Sequence, residues 1–333
     1  MPQLNSLTVR GYRSINELNE LPLTNLNVLT GVNGVGKSNF LSLFRMLRAL
    51  ERRELQNFVS DEGGADAILF YGSGTTSRIS ASFDFGDIGY RFELFPTDDD
   101  RLVFASEHSE LLDVYSSVQP QLLLGTLHDE SNLRVSTDNY SPVVRRALSQ
   151  LRVCHFRDLR DISKDKRPFA GSDRIVLEED ASNLGPVLQA LSAGHAAEYG
   201  QIVETIRRVA PFFDDFVFEE GEAGQISLKW SGSGGPAGVQ DSGMLSFGLL
   251  RFICFITTLF IPDELKAPIT ILDEPELGLH PALVRELADI LGRVSRSTQL
   301  IVSTLSPELV NAFGSGKIIA VDLVDGASVF RRL

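Results

Sequence analysis

The chain has 333 residues, of which 43% are hydrophobic, and a formal net charge of −13. This content is ordinary for a globular protein with one large domain or two modest ones. The net negative charge argues against a protein that binds nucleic acid over its whole surface, although it is compatible with a local basic patch. No stretch of about 18 uninterrupted apolar residues predicts a membrane span. The first ten residues lack the apolar core of a signal peptide, so we expect a cytoplasmic protein with no membrane partner.

The most informative segment lies near the start of the chain. Residues 4–12 alternate roughly as a strand, and residues 26–30, LNVLT, form a short apolar run typical of a buried strand. Residues 31–38, GVNGVGKS, then match the phosphate-binding pattern GxxxxGK[ST]. Apolar side chains follow at helical spacing from residue 39 to residue 50. Strand, glycine loop and helix are the context that this pattern needs, and the alternative is a chance match in a glycine-rich loop.

The predicted loop has a direct chemical reading. Its glycines let backbone N–H groups turn toward phosphate oxygens, and the helix N-terminus adds positive potential. Lys37 is predicted to reach the β- and γ-phosphates of ATP, and the Ser38 hydroxyl is predicted to ligate Mg²⁺. The predicted nucleotide-binding residues of the loop are Asn33, Gly34, Val35, Gly36, Lys37, Ser38 and Asn39.

The remaining chain completes an α/β pattern. We expect one domain over residues 1–333, with a parallel-rich core sheet and covering helices. Its predicted segments are a P-loop lobe (1–60), an antiparallel β region (61–105), an inserted helical and mixed region (106–240), and a C-terminal region (241–333) that alternates helices and strands.

Two adjacent carboxylates end a strand in the C-terminal region. Residues 269–272, ITIL, are apolar and lead directly into Asp273 and Glu274. A buried strand delivers such carboxylates to the sheet edge where a P-loop holds its nucleotide. Asp273 is predicted to position Mg²⁺ together with Ser38, and Glu274 to act as general base on the attacking water. An Asp-Glu pair can also begin a surface turn, and the P-loop upstream favours the Mg²⁺ interpretation.

Four segments resemble a known family. Residues 273–281, DEPELGLHP, resemble the Walker B motif and D-loop of ABC-type ATPases related to RecF, the SMC proteins and the ATPase half of OLD nucleases. Residues 9–15, VRGYRSI, resemble the first strand of their ATPase heads, and residues 155–158, HFRD, resemble a segment at the Q-loop position. Residues 245–248, LSFG, resemble the ABC signature. The resemblance spans nearly the whole chain.

The resemblance implies an ATP-dependent homodimer. It implies that Ser246 and Gly248 of one copy meet the γ-phosphate bound by the other, and that Arg13 contacts the nucleotide. The physical reading agrees, because a serine N-cap leaves N–H donors free for an anion. The sequence does not decide which segment is the signature, because residues 241–243, DSG, compete with Ser246. The alternative to a signature is an ordinary buried helix with a serine N-cap.

The chain also departs from the family. Related ATPases carry a histidine where this chain has Leu305, and leucine cannot donate a hydrogen bond to a phosphate. Either hydrolysis is slow, or His280 or Thr304 substitutes for that histidine, or the protein acts mainly as an ATP-binding switch. Phe247 stands where smaller or polar residues are usual, which bears on the dimer contact.

Together, the motifs and the resemblance predict an ATPase that works as a nucleotide-dependent dimerisation switch. The resemblance implies a separate effector protein, such as a nuclease, frequently in bacterial defence against phage. The alternatives are a RecF-like DNA-repair ATPase that binds DNA directly and a slowly hydrolysing ATP-dependent scaffold. A transporter ATPase subunit fits the opening strand and residues 278–281, GLHP, less well.

Overall fold

The computed structural model describes residues 3–111, 121–156, 159, 175–221, 226–232 and 238–333. The chain forms two compact units. The first contains Met1–Val153, Ala267–Ile271 and Leu291–Leu333, and the second contains Cys154–Lys266 and Leu272–Ile290.

The strands, in chain order, are β1 (Ser6–Tyr12), β2 (Ile15–Pro22), β3 (Leu26–Thr30), β4 (Ile79–Asp84), β5 (Ile88–Pro96), β6 (Leu102–Leu111), β7 (Gln121–Gly125), β8 (Leu151–Cys154), β9 (Phe213–Glu220), β10 (Ile226–Gly232), β11 (Gln240–Asp241), β12 (Ile269–Asp273), β13 (Gln299–Thr304), β14 (Ile318–Val324) and β15 (Ala327–Arg332). The helices are α1 (Lys37–Arg52), α2 (Leu55–Asp61), α3 (Ala65–Ile68), α4 (Ser141–Ser149), α5 (Leu184–Gly194), α6 (Ala196–Val209), α7 (Phe247–Leu259), α8 (Pro281–Val294) and α9 (Pro307–Asn311).

An antiparallel sheet in the first unit has the strand order β2-β1-β4-β5-β6-β7. Burial alternates along β4, where Ile79, Ala81 and Phe83 point into the core. The sheet takes in β1 and β2, which precede the P-loop, as well as strands from the region predicted to be antiparallel. Strand β1 pairs with β4 across the intervening P-loop and three helices, with Val9 opposite Ala81. Alternation along the sequence predicts strands but not their distant partners. The sequence therefore did not predict that β1 and β2 join this sheet.

A second sheet has the order β15-β14-β3-β13-β12-β8. Strand β3 lies between β13 and β14 and is parallel to both, whereas β15 closes the edge antiparallel to β14. Strands β12 and β13 are buried at every residue rather than at alternate residues, as expected for strands that are covered on both faces. The predicted α/β class with a parallel-rich sheet is confirmed.

Helix α1 follows β3 through the glycine loop and packs one apolar face into the core. Phe40, Leu43, Phe44 and Leu47 recur at helical spacing, and all four are fully buried. Each such side chain stabilises the fold by roughly 1.5–3 kcal/mol on burial. Arg53 ends the helix in the left-handed region and donates its N–H to the last carbonyls. This packing holds the start of α1 in place.

The second unit combines the α5–α6 helix pair, the three-stranded sheet β11-β10-β9 and the apolar helix α7. Phe213 of β9 stacks on Trp230 of β10, with ring centroids 6.1 Å apart. Helix α7 is buried nearly all round, which makes it a core helix of this unit. The rest of the unit includes the chain from Leu272 to Ile290, which carries the end of β12 and most of α8.

Candidate functional site

The glycine loop between β3 and α1 is built for close approach to its neighbours. Gly36, the N-cap of α1, has φ 104°, in the left-handed region that favours glycine. A β-carbon there would overlap the Oγ atoms of Ser328 and Ser14. Lys37 is buried, and its Nζ donates to the carbonyl oxygens of Gly31 at 2.6 Å and Val32 at 2.9 Å. The loop therefore encloses its lysine, while Ser38 at the start of α1 is exposed.

Three hydrogen-bonded polar side chains, here called the serine brace, fix the conformation of this loop. It comprises Ser14, Ser328 and Asn39. The Ser328 hydroxyl donates to the carbonyl oxygen of Val35 at 2.6 Å and lies 2.7 Å from the Ser14 hydroxyl. Asn39 donates to Ser14 at 2.7 Å. The brace ties the P-loop to the turn after β1 and to β15.

Two of the predicted nucleotide-binding residues, Asn39 and Arg13, have side-chain partners in the structure. Asn39 is held by the brace, and Arg13, one residue before Ser14, forms an ion pair with Glu62. Glu62 also pairs with Arg45 of α1 at 3.0 Å. Ser14 and Ser328 themselves were missed from the sequence. Ser328 carries no motif signal, since its partners lie about three hundred residues earlier in the chain.

The predicted carboxylate pair ends β12 and continues into the second unit. Asp273 is only 4% exposed, and its Oδ2 lies 2.6 Å from Nδ1 of His155. Glu274 has φ 47°, a left-handed conformation that costs a residue other than glycine about 1–2 kcal/mol. The chain therefore turns sharply between the two carboxylates. Arg157 and Asp158, which follow His155 in the predicted Q-loop segment, lie outside the described residues.

Arg251 of α7 stabilises that turn. The residue is 1% exposed, and its guanidinium group donates to the carbonyl oxygens of Asp273 at 3.3 Å, Glu274 at 3.1 Å and Leu277 at 3.5 Å. Burial lowers the pKa of Arg251, and the neighbouring carboxylates, Glu274 first among them, oppose that shift. A buried cation on α7 thus holds the backbone at the predicted general base.

The predicted signature lies at the start of the same helix. The Ser246 side chain accepts a hydrogen bond from the N–H of Leu249 at 3.3 Å, so Ser246 is the N-cap of α7. A β-carbon on Gly248 would overlap the carbonyl oxygen of Gly278, so the two backbones are in direct contact. The competing segment forms a separate turn, in which Asp241 caps Ser242–Met244. The structure brings Ser246 and Gly248 to one helix start; their role as a signature stays a prediction.

Leu305 stands where related ATPases carry a histidine, and His280 is one of the residues predicted to substitute for it. His280 is exposed just before α8, and its carbonyl oxygen accepts from the N–H of Leu283 at 2.8 Å. Leu305 follows β13, whose last residue Thr304 pairs with Thr30 immediately before the P-loop. Leu305 is therefore placed at the edge of the sheet from which the loop emerges.

The donor chemistry fits Mg²⁺. Within the part of the chain that the structure describes, no group of three or more His, Cys, Asp or Glu side chains could hold a metal ion. Mg²⁺ does not require such a cage, because it takes one or two protein oxygens together with phosphate oxygens and water. The Ser38 hydroxyl and the Asp273 carboxylate are such oxygens. The narrow loop at Gly36 fits a phosphate cradle in the same way.

A P-loop, a carboxylate pair at the end of a strand and a capped helix are each features expected of nucleotide-dependent ATPases. The family described as "AAA domain, putative AbiEii toxin, Type IV TA system" matches residues 26–311, and the chain belongs to it. A search of curated proteins found no match. Among the described residues, no helix has the length and apolar character to cross a membrane.

Solved structures of Smc head domains share the fold. One, an Smc head bound to the C-winged helix domain of ScpA, is 19% identical with TM-score 0.68, and the match covers 100% of this chain and 98% of that chain. A second, from Pyrococcus furiosus, is bound to the C-terminal domain of ScpA; it is 16% identical with TM-score 0.66, covering 100% and 96%. A third, from Pyrococcus yayanosii, is 14% identical with TM-score 0.55, covering 100% and 97%. The fold is that of an ABC-type ATPase head.

Proposed function

We propose that this chain, acting as a single ATPase domain, binds ATP with Mg²⁺, hydrolyses it, and uses it to join two copies of itself. The observation that carries the proposal is the P-loop, in which Lys37 is enclosed and the backbone is fixed by the serine brace. Lys37 exchanges its two carbonyl acceptors for phosphate oxygens, which form stronger, charge-assisted hydrogen bonds. Residues 33–39 cradle the phosphates, and Arg13 contributes from the turn after β1.

The proposed metal ligands and the proposed base lie at the start of α1 and at the end of β12. Ser38 and Asp273 are the proposed ligands of Mg²⁺, which when bound neutralises charge on the phosphate oxygens. Glu274 takes a proton from the attacking water. Arg251 supports this role, because it holds the carbonyl of Glu274 and thereby the backbone that aims the side chain.

The proposed dimer uses the start of α7. Ser246 and Gly248 of one copy meet the γ-phosphate bound by the other, with the first amides of α7 as donors. Next to Ser246, the side chains of Met244 and Phe247 are 73% and 45% exposed. Exposed apolar side chains at a proposed phosphate contact support burial against a second copy.

We further propose a cytoplasmic protein whose dimer controls a separate effector, such as a nuclease, in bacterial anti-phage defence. The family description names a toxin of a toxin–antitoxin system, and the Smc heads of similar fold are bound to domains of ScpA. Both support a protein partner. The net charge of −13 does not favour a nucleic acid as that partner.

Leu305 favours a second candidate, an ATP-dependent scaffold that turns over slowly. A leucine at the edge of the sheet beside the P-loop cannot donate to a phosphate. His280 or Thr304 takes that task if hydrolysis is fast. The turnover number of the purified protein separates the two candidates. A scaffold should hydrolyse ATP so slowly that its dimer persists for many minutes in excess ATP.

The deciding experiment uses Glu274→Gln and light scattering with and without ATP and Mg²⁺. We expect the substitution to preserve ATP binding, to reduce turnover about 100-fold or more because the base is lost, and to trap a species of doubled mass. The matched control is Lys37→Ala, which should bind no ATP and stay at the smaller mass. We expect the protein purified from its native host to carry an associated effector.

Two results would contradict the proposal. Normal ATP affinity in Lys37→Ala would remove the P-loop assignment. An unchanged mass in Glu274→Gln with bound ATP would remove the dimer mechanism and leave α7 without its proposed role.

A further inference from the structure

His155 contacts the predicted metal ligand but belongs to none of the motifs to which we assigned chemistry. It follows β8 directly, and its Nδ1 lies 2.6 Å from Oδ2 of Asp273, within hydrogen-bond distance. Because a carboxylate oxygen accepts, Nδ1 carries the proton of this contact. The carboxylate is 4% exposed and the imidazole 34% exposed. The contact thus joins the largely buried carboxylate of Asp273 to the partly exposed imidazole ring of His155.

The backbone beside His155 is anchored. Phe156 is fully buried and packs against Phe255 of α7, with ring centroids 4.9 Å apart. Cys154, on the other side of His155, is also buried. Anchors on both sides restrict the positions that the imidazole can reach, which favours a defined contact over a passing one.

We infer that His155 is a positioning residue, which fixes the rotation of the Asp273 carboxylate for Mg²⁺. A carboxylate on a two-torsion side chain can present either oxygen at many angles, whereas Mg²⁺ demands near-octahedral geometry. Holding Oδ2 on the imidazole removes that freedom. Partners of this kind are worth about 10- to 100-fold in metal affinity where they have been removed. This inference rests on the proposed function, in which Asp273 serves Mg²⁺–ATP.

The test measures binding of a fluorescent, non-hydrolysable ATP analogue twice, with Mg²⁺ and with a chelator. In His155→Leu we expect affinity with Mg²⁺ to fall about tenfold and affinity with chelator to stay unchanged. His155→Asn should rescue most of the loss, because its amide nitrogen occupies nearly the position of Nδ1. His155→Gln should rescue less, since its amide nitrogen reaches the position of Nε2.

Two controls separate this contact from a general effect. His195→Leu, at the junction of α5 and α6 in the same unit, should bind the analogue as the unchanged protein does. In Asp273→Asn the Mg²⁺-dependent part of binding should be gone, and adding His155→Leu should change nothing further, because the two substitutions remove one interaction.

The outcomes divide cleanly. Equal losses with Mg²⁺ and with chelator, or no rescue by His155→Asn, would make His155 a merely structural residue and overturn the inference. Tighter Mg²⁺-dependent binding in His155→Leu would overturn it too, since the imidazole would then compete with the metal. If the unchanged protein shows no Mg²⁺-dependent binding, the proposed function itself fails. Should His155→Leu not fold, the Asn and Gln variants alone decide, because only positioning separates them.

Discussion

Ser328 fixes the geometry of a motif that lies about three hundred residues before it. Its hydroxyl group holds the carbonyl oxygen of Val35, and its position excludes a β-carbon at Gly36. The P-loop pattern therefore specifies the loop only in part, since the serine brace supplies the fixed conformation. A loop that is held in its binding conformation loses less entropy when phosphate binds.

We predict that Ser328→Ala weakens ATP binding about five- to tenfold and unfolding stability by about 1 kcal/mol, because Val35 loses its donor and the loop gains freedom. Equilibrium binding and urea unfolding measure the two effects. Ser149→Ala is the matched control, since that surface hydroxyl donates to a helical carbonyl oxygen outside the P-loop. Unchanged ATP affinity in Ser328→Ala would show that the brace does not determine the shape of the loop.

At the level of single residues, sequence reasoning succeeded where a local pattern existed. The sequence predicted strand β3 and helix α1 around Lys37, and it predicted Ser246 as a helix N-cap. It missed Ser328 and the contact of His155 with Asp273. Hydrogen bonds between residues far apart in the chain follow from tertiary packing, and no spacing rule encodes them.

Helix α7 acts as an element that connects the proposed phosphate contact to the proposed base. Its first turn carries Ser246, its second carries Arg251, and Arg251 donates to the carbonyl of Glu274. Gly248 adds a backbone contact with Gly278. We therefore expect a shift of the helix start to move the chain that follows β12, because Arg251 and Gly248 both contact that chain.

We predict that Arg251→Met lowers kcat about tenfold or more while the affinity for ATP changes little. Methionine keeps the volume but cannot donate, so the left-handed backbone at Glu274 loses the group that holds it. A kcat effect without a binding effect marks loss of an interaction that serves the chemical step. Steady-state kinetics and direct ATP binding measure the two parameters.

Arg208→Met is the control for the loss of an arginine. Arg208 joins α6 to Glu286 of α8 in the same unit through a 2.7 Å ion pair, and its side chain is half exposed. Such a pair contributes about 1 kcal/mol or less, so kcat should hold. A large kcat loss in both variants, or weakened ATP binding in Arg251→Met alone, would contradict the proposed role of Arg251.

The elements themselves were mostly predictable, and their partners were not. Apolar runs and caps predicted α1, α7, β3 and β12, because burial imposes those periods. The pairing of β1 with β4 was not predictable, since it joins strands separated by the P-loop and three helices. Strand pairing of this kind depends on the whole fold.

Within the part of the molecule that the structure describes, Tyr12, Tyr90 and Tyr199 are held in the protonated form. Burial raises the pKa of Tyr12, burial and Glu107 raise that of Tyr90, and burial and Asp215 raise that of Tyr199. Unfolded tyrosine titrates near pH 10, so the unfolded chain releases these protons first. Stability from these groups is full below about pH 10 and falls as the pH rises above it.

Phenolate absorbance during an alkaline titration tests this expectation. We expect these three tyrosines to ionise only together with unfolding, followed in parallel by circular dichroism. Tyr90→Phe should reduce the late amplitude by one tyrosine. Full phenolate absorbance in a protein that is still folded would contradict the assigned burial.

The serine brace also sets a time order during protein synthesis. Val35 and Gly36 leave the ribosome early, yet the hydroxyl group that fixes them belongs to residue 328. A growing chain therefore carries an unbraced P-loop until β15 has been made. We expect a chain that lacks β15 to hold ATP more weakly than the finished protein does, because its P-loop is not yet fixed.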